Sequence, residues 1–238
     1  MDPISGGGAL MSVVNDTVEW LTDSVHWSGD DGIPHRLLEH VGYTAETIVI
    51  AAVIAIPLGF WIGHTGRFRS VAVGLTGAMR ALPTLGLLTL IALYLGIGLT
   101  PPLIALVVLA IPPLLAGAYA GVESVDPQTV DAARAMGFTE WQILTRVEIP
   151  LGLAIIIGGV RSAVLQVVAT ATVAAYVGLG GLGRYLIDGQ AVSDYPQMAG
   201  GSVLVVALAL VLDGFFAALQ GLASGRRPSL RSRARSSP

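Results

Sequence analysis

The sequence predicts an all-α membrane protein with about five transmembrane helices, and three observations predict it. Of its 238 residues 53% are hydrophobic and only 12% are charged, where a soluble domain carries about 25% charged residues. No charged residue occurs from 81 to 122, a run too long for one helix of ordinary tilt. The other apolar runs are each about 20 residues long, the length that crosses a hydrocarbon core of ~30 Å. Mean hydropathy is +0.73.

Residues 1–40 form a polar, acidic leader in which Asp2, Asp16, Glu19, Asp23, Asp30, Asp31 and Glu39 stand against Arg36 alone. No basic segment leads into an apolar one, so the leader does not read as a cleaved signal peptide. His26, His35 and His40 lie here too. Their spacing to carboxylates repeats no known ligand motif, so no metal site is expected.

The membrane domain then runs over 41–223. Its first span covers about 42–63, with Glu46 near the start and Trp61 near the end, where an amphipathic ring suits the interface. A short loop carries Arg67 and Arg69. Thr100-Pro101-Pro102 divides the long uncharged run, because prolines end helices. That gives a second span over 71–97 and a third over 103–122, the latter with Pro112 and Pro113 as kink points. Arg80 and Pro83 interrupt the second span, and such a break survives in a bilayer only where other helices or water satisfy the freed carbonyls. Arg80 is either a snorkelling or paired structural residue or a residue lining a path.

Between the third and fourth spans lies the longest polar interruption of the chain's second half, within 123–150. Asp126 can cap a short helix with Pro127 at its first position. Gly137 can end that helix in a left-handed turn. Thr139 and Gln142 have the spacing of a capping box for a second short helix, and Pro150 marks where the next element begins. The reading is a helix–turn–helix hung from the membrane on the water side.

The fourth span covers about 151–177, with Arg161, Gln166, Thr170 and Thr172 at roughly helical spacing. A polar stripe at that depth must face other helices or a wet path. The fifth covers about 201–222, with Asp213 near its middle. Arg161 and Asp213 fall at comparable depth in adjacent spans. They either pair or, the reading favoured here, meet separate polar partners or a wet cavity. The Arg-rich tail, 224–238, is expected to be disordered. If the tail is inside, the inner segments hold nine arginines and the outer ones two, Arg36 and Arg184. The positive-inside rule therefore puts the 123–150 loop and the tail in the cytoplasm and the leader outside.

Several chemistries are excluded. The chain has no cysteine and no lysine, all 13 basic residues being arginine. It can make no disulfide or thiolate site, and it lacks the lysine that a P-loop sets on nucleotide phosphates. Gly178, Gly180, Gly181 and Gly183 fit G-x-G-x-x-G, but a membrane span precedes them where a nucleotide fold needs a strand. They read instead as a flexible re-entry or gate segment on the outer side. No catalytic constellation, cofactor or nucleic-acid partner is expected.

Asp131-Ala132-Ala133, then Gly137 after three residues, then Val147-x-Ile149-Pro150 after nine, resembles the "EAA" loop of binding-protein-dependent ABC importer permeases. Asp replaces Glu, Val replaces Ile and Ile replaces Leu, with the spacing kept. The resemblance implies that this loop is the coupling helix docking into a cytoplasmic ATPase, with Asp131, Ala132, Ala133 and Gly137 at the contact, Trp141 flanking it and Pro150 closing the motif. Arg80-Ala-Leu-Pro83-Thr84, Ser124 to Pro127, Gly159-Val160-Arg161 and Gly178 to Gly183 are similar to the glycine betaine/carnitine/choline branch. That likeness covers about 42–222. It implies a type I importer permease in the cell membrane, paired with a second permease subunit, an ATPase and an extracytoplasmic binding protein. It also implies a path lined among Arg80, Pro83, Arg161, Gln166, Thr170 and Asp213, and an outer gate at the four glycines. The cargo would be a quaternary-amine osmoprotectant, or else another small solute such as proline or methionine. A self-contained secondary transporter would use Glu46, Asp213, Arg80 or Arg161 for ion coupling. It should also show matching halves, but no repeat occurs and five spans do not divide in two.

Overall fold

The computed structural model describes residues 5–96 and 98–225. Its order is α1 (Ser5–Thr22), α2 (Ile33–Thr65), α3 (Arg69–Arg80), α4 (Thr84–Leu95), α5 (Thr100–Glu123), α6 (Pro127–Ala135), α7 (Glu140–Ile143), α8 (Ile149–Ala174), α9 (Gly183–Val192) and α10 (Tyr195–Ser224). A 3₁₀ turn, Ser24–Trp27, follows α1, and a second, Ala175–Val177, follows α8. Among the described residues four helices are long and apolar enough to cross a membrane, or five if the bent α3–α4 pair counts as one span.

Element boundaries depart from hydropathy where backbone signals overrule it. The leader is largely helical, and α2 begins at Ile33, inside it, behind Gly32 and with a proline in its first turn. The charges of that first turn are neutralised locally: Arg36 pairs with Asp31 and, at 2.8 Å, with Glu39. In the second span the break is larger than a kink. The axis turns by 86° between Arg69–Met79 and Thr84–Leu95, with Pro83 at the corner in extended backbone. The long uncharged run does divide at Thr100-Pro101-Pro102, between α4 and α5; the prolines stand in the first turn of α5, where the N–H groups have no helical partner anyway. The helix runs unbroken through Pro112 and Pro113. The tail residues 226–238 lie outside the described residues.

The core is a seam of α2, α5 and α8. Ala51 and Ala55 of α2, Ala110 and Leu114 of α5, and Ala163 and Val167 of α8 are buried together. Small side chains let helix axes approach in lipid, where van der Waals contact has to replace the hydrophobic effect. The α5–α8 crossing shows how far this goes: a Cβ added to Gly117 would lie 2.5 Å from the Cα of Gly159. A second cluster joins α4, α5 and α8 through Leu88, Leu106 and Ala171 to Leu179. A third joins Trp20 of α1 to Ile33, Leu182 and Tyr185. Helix α10 lies on the outside, with only Gly200 and Gly201 buried.

Candidate functional site

The loop between α5 and α8 forms as its local signals direct. Asp126 accepts from the Gln128 N–H at 2.9 Å, and Pro127 takes the first turn of α6. Gly137 is left-handed, φ 87°. Thr139 and Gln142 complete a reciprocal capping box. The next element begins at Pro150 as expected, α8 starting at Ile149, but without a break: α7 leads into it through a π-helical turn, Leu144–Glu148. The Ile149 N–H reaches back to Leu144 O. That wider turn comes just before the residue that cannot donate, whose ring would crowd an ordinary α-helical carbonyl. Pro150 thus sits in the first turn of a continuing helix. Asp131, Ala132, Gly137 and Trp141 are exposed, whereas Ala133 turns inward at 3% exposure.

Charge knits this loop to the bundle. Arg134 donates to Asp131 at 2.9 Å and forks onto Glu140 at 2.8 and 3.1 Å. The hydrogen bonds to Glu140 raise the Arg134 pKa above its ordinary value. Glu140 Oε2 lies 3.2 Å from His64 Nε2, and His64 Nδ1 lies 2.6 Å from Oε2 of the buried Glu148. Neither His64 nor Glu148 was singled out from sequence. The available signal was a histidine ending the first span and a glutamate rooting the fourth at the same membrane depth. Phe60, Trp61, His64, Glu140 and Trp141 also line a cavity of about 490 Å³.

At the opposite end the glycine segment is held tightly. Gly181 is left-handed, φ 81°, and its N–H donates to Glu39 at 2.9 Å. Leu179 and Leu182 are fully buried. His40, also fully buried, sets Nε2 3.1 Å from Val168 O and turns Nδ1 toward Gly181. Of the four glycines, Gly180 packs closely on Glu39, Gly181 on His40 and Gly183 on Thr172 and Ala175, whereas Gly178 has open space beside it. Beside them the Tyr185 hydroxyl donates to Asp31 O at 2.6 Å, and burial pushes the phenol up to about 12.

In the membrane interior Arg161 and Asp213 pair with each other, against the favoured reading of separate partners. Nε and Nη2 reach the two carboxylate oxygens at 2.6 and 2.7 Å, the bidentate geometry that suits guanidinium and carboxylate. Gln166 reaches across to the neighbouring helix α5. Its amide donates to Leu109 O at 3.0 Å, the carbonyl left without a helical donor by Pro113 four residues on. Thr170 bonds back to Gln166 O in its own helix. The side chain of Arg80 lies outside the described residues.

Residues 55–226 match the model of a family described as the binding-protein-dependent transport system inner membrane component. The chain belongs to that family. It is similar to the carnitine transport permease protein OpuCB of Listeria monocytogenes, 32% identical over 75% of this chain and 84% of that protein. It is also similar to the osmoprotectant import permease protein OsmW of Salmonella typhimurium, 31% identical over 83% of this chain and 95% of that one. Its fold is that of a chain of the MetNI methionine ABC transporter solved in an inward-facing form, with TM-score 0.70 and 21% identity over 80% of this chain and 95% of that chain. This permease is thus a multi-pass inner-membrane component and not the ATP-hydrolysing subunit. Membership implies an ATPase and a substrate-binding protein as partners.

Proposed function

We propose that the chain is the membrane-spanning subunit of an ATP-driven importer for a quaternary-amine osmoprotectant such as glycine betaine, carnitine or choline. The observation that carries the reading is the α6–α7 corner: a doubly capped, glycine-turned projection with Asp131, Met136 and Trp141 exposed by 70% or more. An apolar and acidic surface raised on a rigid turn suits docking of another protein, and the charge asymmetry of nine arginines against two puts it on the ATP side. The cargo class follows the names of the relatives. A second permease subunit completes the path, on which we place the broken α3–α4 span at Pro83. We assign Gln166 and the Arg161–Asp213 pair to holding helices together. We place the glycines 178–183 at the outer end, where they shape the mouth.

The test is uptake of labelled glycine betaine, carnitine and choline into proteoliposomes. The chain alone should take up none, with or without an ion gradient. ATP-dependent uptake should appear once its ATPase and binding protein are added. Gradient-driven uptake by the chain alone would overturn the proposal in favour of a secondary transporter.

A further inference from the structure

One imidazole joins three elements at the end of the bundle that carries α6 and α7. His64 stands in the last turn of α2. Its Nε2 faces Glu140, the first residue of α7, at 3.2 Å, and its Nδ1 faces Glu148 at the root of α8, at 2.6 Å. Each ring nitrogen meets a carboxylate oxygen. Glu140 is already gripped by Arg134, and Arg134 by Asp131. The result is one continuous chain of polar contacts from the exposed corner to a carboxylate whose side chain is 7% exposed.

The covalent route from the same corner to α8 is softer. It passes through the π-helical turn Leu144–Glu148, a wider and less favourable turn than the α-helix on either side. A displacement of α7 could be absorbed there by a register change and never reach the membrane. His64 bypasses that turn, because it grips Glu140 before it and Glu148 at its far end. It also brings in α2, which is not adjacent to the loop along the chain. A buried carboxylate is costly unless it is paired, so Glu148 holds the imidazole firmly on the α8 side.

We propose that His64 is a positioning residue for energy coupling, tying the α6–α7 corner to the ends of α2 and α8 so that movement of the corner moves both spans. The proposal rests on the transport reading above, and its test separates the two. The complete complex with its ATPase and binding protein is reconstituted, and uptake is measured per ATP hydrolysed. ATP-driven uptake by the wild-type complex checks the transport reading; the ratio in the variants checks the relay. His64→Ala should lower uptake per ATP at least tenfold while hydrolysis falls less than twofold. Glu148→Gln, which keeps the shape, should do nearly as much. Glu140→Gln, at a half-exposed position that keeps Arg134 beside it, should lower the ratio about threefold.

A purely structural role would instead reduce hydrolysis, assembly and uptake in parallel. That result, or an unchanged ratio in all three variants, would overturn the proposal. If His64→Ala fails to assemble, the two glutamine variants decide. A distance measurement reads the tie directly, since the chain has no native cysteine. Spin labels at Arg67→Cys and Gln128→Cys should keep one separation with and without ATP in the wild-type background and change it in His64→Ala or, where that does not assemble, in Glu140→Gln, the variant that loosens the α2–α7 contact. A separation that stays fixed in that variant would show that the corner moves α2 by another route.

Discussion

The two polar ends of the bundle use opposite materials. At the α6–α7 end, charged side chains form the joints: Arg134 is 49% and Glu140 56% exposed, with only His64 and Glu148 drawn inside. At the glycine end, backbone completes the joint: a left-handed Gly181 gives its N–H to Glu39, itself paired with Arg36, and packs against a fully buried imidazole. Side-chain ion pairs in water can break and re-form at little cost. A backbone joint closed over a buried ring has no such freedom, because any added atom must displace a neighbour. The difference shows where the molecule tolerates movement and where it requires fit.

The strongest way to break that comparison is one substitution made at both ends. Gly181→Val adds atoms 3.0–3.2 Å from His40 in a left-handed backbone. The strain costs about 1–2 kcal/mol and the overpacking about 1–3 kcal/mol more. Thermal unfolding of the purified protein should drop by several degrees. Gly137→Val is equally left-handed but has nothing within 4 Å of the added Cβ. It should insert and lose only the backbone-strain part, about 1–2 kcal/mol, so that it melts above Gly181→Val, yet lose ATPase association and transport. Unchanged uptake in that variant would remove the docking assignment.

Between the two ends, the Arg161–Asp213 pair tests whether a lipid-depth charge joint behaves like either. Arg161→Ala strands a carboxylate among apolar helices and should cut membrane yield sharply. Combining it with Asp213→Ala should recover most of the loss, because neither charge is then left unpaired. Equal loss in the single and double variants would mean that the pair is not what holds α8 to α10.

The smallest contrast compares one residue from each end. Glu39→Gln keeps an acceptor for the Gly181 N–H but loses the charge that pairs with Arg36; it should cost ~1 kcal/mol and respond to salt less than the more exposed Arg134–Glu140 pair. Arg134→Ala, on a solvent-exposed pair, should leave melting unchanged and lower uptake per ATP a few-fold. Raising salt should weaken the wild-type α6–α7 end in the same direction. A greater salt sensitivity at the glycine end than at the α6–α7 end would reverse the assignment of materials.

The loop was legible because its signals are local. Asp126, Gly137, Thr139 and Gln142 each act on backbone groups within three residues, so a short window holds both partners. The apolar runs were legible for a similar reason, since spanning length depends on composition alone. The start of α2 was misjudged because hydropathy reports depth in the membrane, whereas helix ends follow caps and prolines. Pro113 already implied that Leu109 O needed a donor from elsewhere, but which donor could not be read from that proline.

The sequence by itself determined an all-helical membrane chain, the place and hand of its exposed corner, and the family to which it belongs. It also determined which intramembrane groups needed partners, because an unpaired polar group in hydrocarbon is costly whatever the fold. Only the tertiary structure decided which partners they took: Asp213 for Arg161, Leu109 O for Gln166, Gly181 for Glu39, and Glu148 with Glu140 for His64. These pairs stand 52, 57, 142 and, for His64 with Glu148, 84 positions apart. Their meeting depends on the rotation and depth of whole helices, which the packing of Gly117 on Gly159 and its neighbours fixes and no short stretch of chain encodes.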